Sequence, residues 1–99
     1  MSRYGINIFA SRDFNEIADY FAENSLDAGD RFFRAFNARC QQLVTFPNSG
    51  KGYGTIRLNL RGLSLAGYVI FYRISDDVIE ILRVVSGRRD FPAFFEESN

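Results

Sequence analysis

The first half of the chain changes from alternating to helical spacing of its apolar residues. Tyr4, Ile6 and Ile8 alternate with small or polar residues, which predicts a short first strand. Ser11 can then cap a helix that has Asp13 in its first turn. The apolar stripe of this helix consists of Phe14, Ile17, Ala18 and Phe21, and its opposite face is acidic.

A second helix is predicted from about Asp27 to Phe46, where Pro47 prevents its continuation. Its apolar residues fall within one broad arc, so that Cys40 is expected in the core rather than at a reactive site. They are Phe32, Phe33, Phe36, Cys40, Leu43 and Val44. Because only a few residues join the two helices, we expect an antiparallel hairpin. Its apolar stripes need a third surface to cover them.

The second half predicts three strands after a glycine-rich loop over 48–54. In the first strand the alternation slips by one residue at Arg61–Gly62, which we interpret as a bulge. The next two, Tyr68–Ile74 and Val78–Val85, are almost continuously apolar, as inner strands are. Asp76 and Asp77 form the turn between them. The pattern therefore predicts the order β-α-α-β-β-β.

A two-residue turn sets the register of the last two strands and separates two arginines. Arg73 faces Glu80, and this opposite charge gives Arg73 a structural role. The same register places Phe71 opposite Leu82 and Ile70 opposite Arg83. A desolvated, unpaired guanidinium is costly, so Arg83 must reach solvent, a distant carboxylate or a bound partner.

A length of 99 residues limits the chain to one domain, residues 1–99, and its formal charge is balanced. Twelve basic residues face 12 acidic ones, which removes the overall basicity typical of nucleic-acid-binding proteins. The charges are unevenly placed, with one basic and four acidic residues in 11–24 and seven basic and four acidic in 47–90. Eleven of the 12 basic residues are arginine, which pairs bidentately with carboxylate or phosphate.

The sequence contains no histidine and one cysteine, and this excludes several chemistries. Ser-His-Asp and Cys-His catalysis, a cysteine-based zinc site and an intrachain disulfide all lack their residues. No phosphate-binding loop or dinucleotide fingerprint is present. We expect no metal, no small-molecule cofactor and no catalytic residue. With no signal peptide and no apolar run long enough to span a membrane, we expect a cytoplasmic protein that does not bind membranes.

The best candidate site is a cluster of arginines and tyrosines in the second half of the chain. Arg88 and Arg89 follow Gly87 at the exit of a buried strand, where rigid structure can hold a functional loop. The alternative is a solvated charge pair that protects a sheet edge from aggregation. The candidate binding residues are Arg57, Arg61, Tyr68, Tyr72, Arg73, Arg83, Arg88, Arg89 and Asp90.

Three blocks in this half resemble the ParE branch of the RelE/ParE toxin superfamily. They read RGLSLAGYVIFYR at 61–73, IEILRVV at 79–85 and SGRRD at 86–90. The first strand, the first helix and a second helix ending at Phe46–Pro47 are similar as well, so that the resemblance covers about residues 4–94. It implies an α+β fold in which an antiparallel twisted sheet packs against an antiparallel two-helix hairpin.

The resemblance implies the toxin of a type II toxin-antitoxin system, such as those that stabilise plasmids. Toxins of the ParE branch poison DNA gyrase and are neutralised by a small cognate antitoxin, in complexes that can be of higher order. RelE-type relatives instead cleave messenger RNA on the ribosome. RNA cleavage needs a proton acceptor and a proton donor, and arginine supplies neither. We therefore favour an inhibitor that acts by binding, with an mRNA endonuclease or a non-toxic antitoxin-binding member as alternatives.

The resemblance also assigns roles to single residues. Gly87 is expected to permit a backbone conformation, and Asp90 to anchor the arginine-rich turn through an ion pair. The chain departs from the family pattern at Ala66–Gly67, where a glycine followed by a basic residue is common.

Phe91, Phe94 and Phe95 could form an exposed apolar surface through which the chain self-associates.

Overall fold

The computed structural model describes residues 3–97 and shows a five-stranded sheet with three helices. The spatial order of the strands is β1-β5-β4-β3-β2. The elements are β1 (Arg3–Ile6), α1 (Ile8–Asn24), α2 (Leu26–Thr45), β2 (Lys51–Gly52), β3 (Arg61–Leu65), β4 (Tyr68–Ser75), β5 (Val78–Ser86) and α3 (Phe91–Glu97). The predicted α+β class and the packing of a helical hairpin on a sheet are confirmed. The short strand β2 and the helix α3 are additions to the predicted order.

The sheet is mixed rather than antiparallel throughout, because β1 runs parallel to β5. Neighbouring strands from β2 to β5 are antiparallel. A tight turn between two strands forces them to run antiparallel, but β1 and β5 lie far apart in the sequence and no turn joins them. The direction of β1 is therefore a property of the whole fold.

The β4–β5 hairpin has the predicted turn and part of the predicted register. Asp76 and Asp77 have φ angles of 48° and 63°, as a two-residue hairpin turn requires. Arg73 pairs with Glu80 as expected. A bulge follows, which places Phe71 opposite Arg83, so the predicted pairs Phe71–Leu82 and Ile70–Arg83 are wrong.

The bulge predicted at Arg61–Gly62 is also wrong. Arg61 is the first residue of β3, and residues 53–60 form turns and bends outside the sheet. Leu58, in this segment, is 83% exposed. The alternation slips because the chain enters the sheet at Arg61, and not because an extra residue interrupts a longer strand.

Side-chain caps fix where the two long helices begin. The Oδ1 atom of Asn7 accepts a hydrogen bond from Ala10 N at 2.9 Å, so α1 begins at Ile8 and not after Ser11 as predicted. Asp13 consequently lies beyond the first turn. Ser25 Oγ caps α2 in the same way, at 3.2 Å from Ala28 N. This helix ends before Phe46 and Pro47, in agreement with the sequence.

The two faces of the sheet are covered by different parts of the chain. The helical hairpin covers one face, where Ile70, Tyr72 and Cys40 are fully buried. Burial raises the pKa of the Cys40 thiol to about 12, which leaves it unreactive, as its predicted core position implies. Within residues 3–97, no helix has the length and apolarity needed to cross a membrane.

Helix α3 and the segment 53–60 cover the opposite face around Phe71, which is fully buried. Phe94 and Phe95 are 9% and 4% exposed, and Phe91 is half-buried. The expectation that these three rings form an exposed apolar surface is therefore wrong. Their spacing gives α3 one apolar face, which packs against the sheet.

Candidate binding surface

Tyr72 and Arg61 hold the loop that connects α2 to β2. The hydroxyl of Tyr72 donates a hydrogen bond to Pro47 O at 2.7 Å and accepts one from Gly50 N at 3.0 Å. Arg61 Nη2 donates to the carbonyl oxygens of Asn48 and Gly50, at 3.0 and 2.7 Å. A Cβ atom at Gly50 would lie 2.6 Å from the Tyr72 hydroxyl, so the loop requires glycine there. Both predicted site residues therefore serve the scaffold.

Arg83 pairs with a distant carboxylate, which is one of the three alternatives that the sequence analysis gave for this residue. Its Nε and Nη2 atoms each lie 2.8 Å from an oxygen of Asp13. The same carboxylate accepts a hydrogen bond from Val84 N at 2.9 Å. Hydrogen bonding of the Arg83 guanidinium to the Asp13 carboxylate outweighs desolvation and raises the pKa of Arg83. With 19% and 12% of their side chains exposed, Arg83 and Asp13 form a largely buried ion pair between β5 and α1.

Phe94 joins this ion pair to the third helix. The Arg83 guanidinium lies 4.5 Å from the centre of the Phe94 ring, and the Arg89 guanidinium lies 5.0 Å from it. Both contacts are cation–π interactions. Arg83 therefore connects α1, β5 and α3, and its guanidinium is committed to internal partners.

Arg73 has the partner that the hairpin register predicted. Its Nε atom lies 2.7 Å from Glu80 Oε1. The side chains of Arg73 and Glu80 remain 52% and 31% exposed, so the pair contributes little to stability. It lies near the Asp76–Asp77 turn, at the opposite end of the hairpin from Arg88 and Arg89.

The loop after β5 exposes Arg88 and Arg89 to solvent. Gly87 N donates to Gly67 O at 2.8 Å, and a Cβ atom at Gly87 would lie 3.2 Å from that oxygen. Close approach of the two loops thus explains this glycine better than a special conformation does. Asp90 belongs to neither the Arg73–Glu80 nor the Asp13–Arg83 ion pair. Its Oδ1 atom instead accepts a hydrogen bond from Ala93 N at 3.1 Å, at the start of α3.

The remaining two candidates lie on opposite sides of the sheet. The Arg57 guanidinium lies 5.0 Å from the centre of the Phe95 ring, and both residues line a small cleft of about 330 Å³ beside α3. Tyr68, at the start of β4, packs edge-on against Phe32 of α2 with ring centres 5.4 Å apart.

Three of the nine candidates meet in a groove of about 510 Å³ between α1 and the β5–α3 segment. These three residues are Tyr68, Arg83 and Arg89. We call this feature the α1–α3 groove. Its α1 wall is formed by Phe9, Arg12, Asp13, Glu16, Ile17 and Tyr20, and the other side by Tyr68, Arg83, Val84, Val85, Ser86, Arg89 and Phe94.

The sequence interpretation missed the residues of the α1 wall. Phe9 and Tyr20 are 50% and 57% exposed, and both lie outside the apolar stripe that packs into the core. Their separation of 11 residues, close to three helical turns, places them on the same side of α1. This spacing was a usable signal, but placing α1 after Ser11 excluded Phe9 from the helix.

The groove offers guanidinium, hydroxyl and aromatic groups. Arg12 and Arg89 supply exposed cations, Ser86 and Tyr68 supply hydroxyls, and Phe9 supplies an exposed ring. Guanidinium groups bind carboxylates through charge-assisted hydrogen bonds, and exposed rings bind apolar side chains. This arrangement is suited to binding another molecule.

Comparison with known proteins identifies relatives of the chain. The family profile described as "ParE toxin of type II toxin-antitoxin system, parDE" matches residues 9–91. A solved structure, "Chromosomal ParDE TA system from P. aeruginosa", is similar with a TM-score of 0.71 over 87% of this chain and 95% of that chain. The two are 20% identical, so this likeness concerns the fold. A search of curated proteins finds no match.

Proposed function

We propose that this chain, which belongs to the ParE family of toxins from type II toxin-antitoxin systems, stops growth by binding and poisoning DNA gyrase. We further propose that a small cognate antitoxin neutralises it in the cytoplasm. The family match over residues 9–91 carries this proposal, since it includes the whole arginine-rich second half up to Phe91.

The internal contacts of the arginines favour inhibition by binding over cleavage of RNA. Arg61 donates to two backbone carbonyls through Nη2, and Arg83 donates to a carboxylate through Nε and Nη2, so internal contacts hold both guanidinium groups in place. A nuclease also needs a group that accepts a proton and one that donates it, and such groups work best when they titrate near neutral pH. Arginine stays charged at that pH.

Among the nine candidates, we propose Arg88 and Arg89 as the residues that contact the target. Both are exposed and lie in a loop held by β5 on one side and α3 on the other. A loop that follows a buried strand and presents two guanidinium groups can bind an acidic protein surface or a phosphate of gyrase-bound DNA.

The direct test adds the purified chain to DNA gyrase and measures supercoiling of relaxed plasmid. We expect supercoiling to fall with increasing toxin and to recover when a small protein encoded beside the toxin gene is added as the candidate antitoxin. Unchanged supercoiling at high toxin concentration would remove the gyrase target. New message ends on translating ribosomes would select mRNA cleavage instead, and normal growth despite a stable antitoxin complex would identify a non-toxic member.

A further inference from the structure

A cleft of about 550 Å³ lies beside the loop that Arg61 holds, and it shares no lining residue with the α1–α3 groove. Arg61 and Ile74 both line it. Arg61 is the cross-strand partner of Tyr72, and Ile74 lies two residues beyond Tyr72 in β4. The two lining residues are therefore on the face of the sheet that the helical hairpin covers. We call this feature the Arg61 cleft.

The Arg61 guanidinium uses only one of its three nitrogens within the fold. Nη2 donates to the carbonyl oxygens of Asn48 and Gly50, and these contacts fix the group in place. Nε is buried and has no hydrogen-bond partner among residues 3–97. Nη1 also donates no hydrogen bond within the described part of the chain, but it is accessible. Because a buried donor without an acceptor is rare and costly, this guanidinium is suited to an acceptor from outside the chain.

The polar groups of the Arg61 cleft favour a carboxylate over a phosphate. Arg61 is the one charged side chain among the lining residues that the structure describes. A single guanidinium matches the charge of one carboxylate, whereas binding along a phosphate backbone relies on several basic groups. Asn48 and Asn59 are exposed, and their carboxamides make no hydrogen bond within residues 3–97. Carboxamide N–H groups can donate to the same carboxylate.

Apolar side chains lie in the same cleft as this cation. Leu58 is 83% exposed, and Ile74 is half-buried. Covering such side chains with an apolar group removes their surface from water and stabilises the complex. The volume of the cleft is also typical of sites that bind small molecules or single residues of a peptide. The lining therefore combines one fixed cation with an uncovered apolar surface.

We propose that the Arg61 cleft binds a monocarboxylate with an apolar body. The carboxylate accepts hydrogen bonds from Arg61 Nη1 and from the asparagine carboxamides, and the apolar body packs against Leu58 and Ile74. A free small acid and the C-terminal residue of a polypeptide share this chemistry. The site goes beyond the proposed gyrase contact, because Arg88 and Arg89 do not line the cleft.

The test is an NMR titration of the isotope-labelled chain with N-acetyl-leucine, a monocarboxylate with an apolar side chain. The Nε–H resonance of Arg61, identified by its absence from the spectrum of Arg61→Lys, reports on acceptors at this guanidinium. We expect saturable shifts of this resonance and of the Leu58 amide, with a Kd of about 1 mM for a ligand of this size. N-acetyl-leucinamide, which has the same body without the charge, should cause neither shift.

A variant at the edge of the cleft tests the site without removing the hydrogen bonds of Arg61. Leu58→Glu adds a negative charge and should weaken the binding of N-acetyl-leucine about tenfold or more. Leu26→Glu is the matched control, since Leu26 is 73% exposed and does not line the cleft. It should bind like the wild type. Both variants should keep the circular dichroism spectrum of the wild type.

The outcomes decide both the site and the class of ligand. Absence of a saturable shift with N-acetyl-leucine, an equal shift with its amide, or wild-type affinity in Leu58→Glu would overturn the carboxylate site. Tighter binding of inorganic phosphate would also overturn it and assign the cleft to phosphate. Tighter binding of isovalerate would support the site with a free acid as its ligand, and tighter binding of the peptide Ala-Ala-Leu would support it with a chain end. None of these results depends on gyrase.

Discussion

The two faces of the sheet are closed by very different structures. On one face, two helices of 17 and 20 residues bury a continuous core against Ile70, Tyr72, Ile79 and Ile81, all of which are fully buried. On the other face, a seven-residue helix and a segment without regular structure surround Phe71. A short helix has little stability of its own, so the second face depends on a few aromatic contacts. We therefore expect the face covered by the helical hairpin to be the more stable one, and the face covered by α3 to open locally.

The ion pair between Asp13 and Arg83 lies where these two faces meet. Asp13 belongs to the helical hairpin, Arg83 to the central hairpin of the sheet and Phe94 to α3. A change at this position should affect both faces, whereas a change within either core should affect mainly its own face.

The largest effect is expected from Phe36→Ala on the hairpin face. Phe36 is 3% exposed, and its ring centre lies 4.6 Å from that of Phe14. Truncation leaves a cavity, and we expect a loss of about 3 to 5 kcal/mol in the free energy of unfolding. Chemical denaturation gives the value. A loss below about 1 kcal/mol would show that the hairpin face is not the more stable of the two.

A smaller global effect is expected from Phe95→Ala on the α3 face, at about 3 kcal/mol or less. Phe95 packs edge-on against Phe71 with ring centres 4.9 Å apart. Hydrogen exchange should show faster exchange in α3, while α2 remains protected. Equal loss of protection in α2 and α3 would contradict the idea that this face opens by itself.

At the junction, Asp13→Asn is expected to cost about 2 kcal/mol, because it leaves the Arg83 guanidinium without its counter-charge. The asparagine can still accept from Val84 N, so the loss reports mainly on the ion pair. Asp19→Asn, at an exposed position of the same helix, is the control and should change stability by no more than about 0.5 kcal/mol. Equal stability of the two variants would mean that the Asp13–Arg83 pair adds nothing.

The smallest effect on stability is expected from Arg88→Ala combined with Arg89→Ala. Arg88 and Arg89 are exposed, so we expect a loss within about 1 kcal/mol, owing mainly to the Arg89–Phe94 contact. Toxicity on expression should nevertheless be lost if these residues contact the target. Arg73→Ala is the matched control and should keep toxicity. A toxic double variant would remove Arg88 and Arg89 from the target-binding surface.

The arginines show most clearly what the sequence could and could not predict about the site. The register of a short turn was sufficient to pair Arg73 with Glu80, since both lie near that turn. It could not identify Asp13 as the partner of Arg83, because the two are 70 residues apart and a bulge intervenes. In the same way, the sequence could not identify the backbone carbonyls to which Arg61 donates, because a spacing pattern does not locate such acceptors.

The sequence by itself determined the helical hairpin, the β4–β5 turn, the core position of Cys40 and the family. These features rest on local spacing, turn residues and motifs that short stretches of chain carry. Only the tertiary structure decided the direction of β1, the burial of the α3 rings, the partners of the arginines and the existence of the α1–α3 groove. Each of these depends on contacts between segments far apart in the chain, and such contacts form only when the layers pack together.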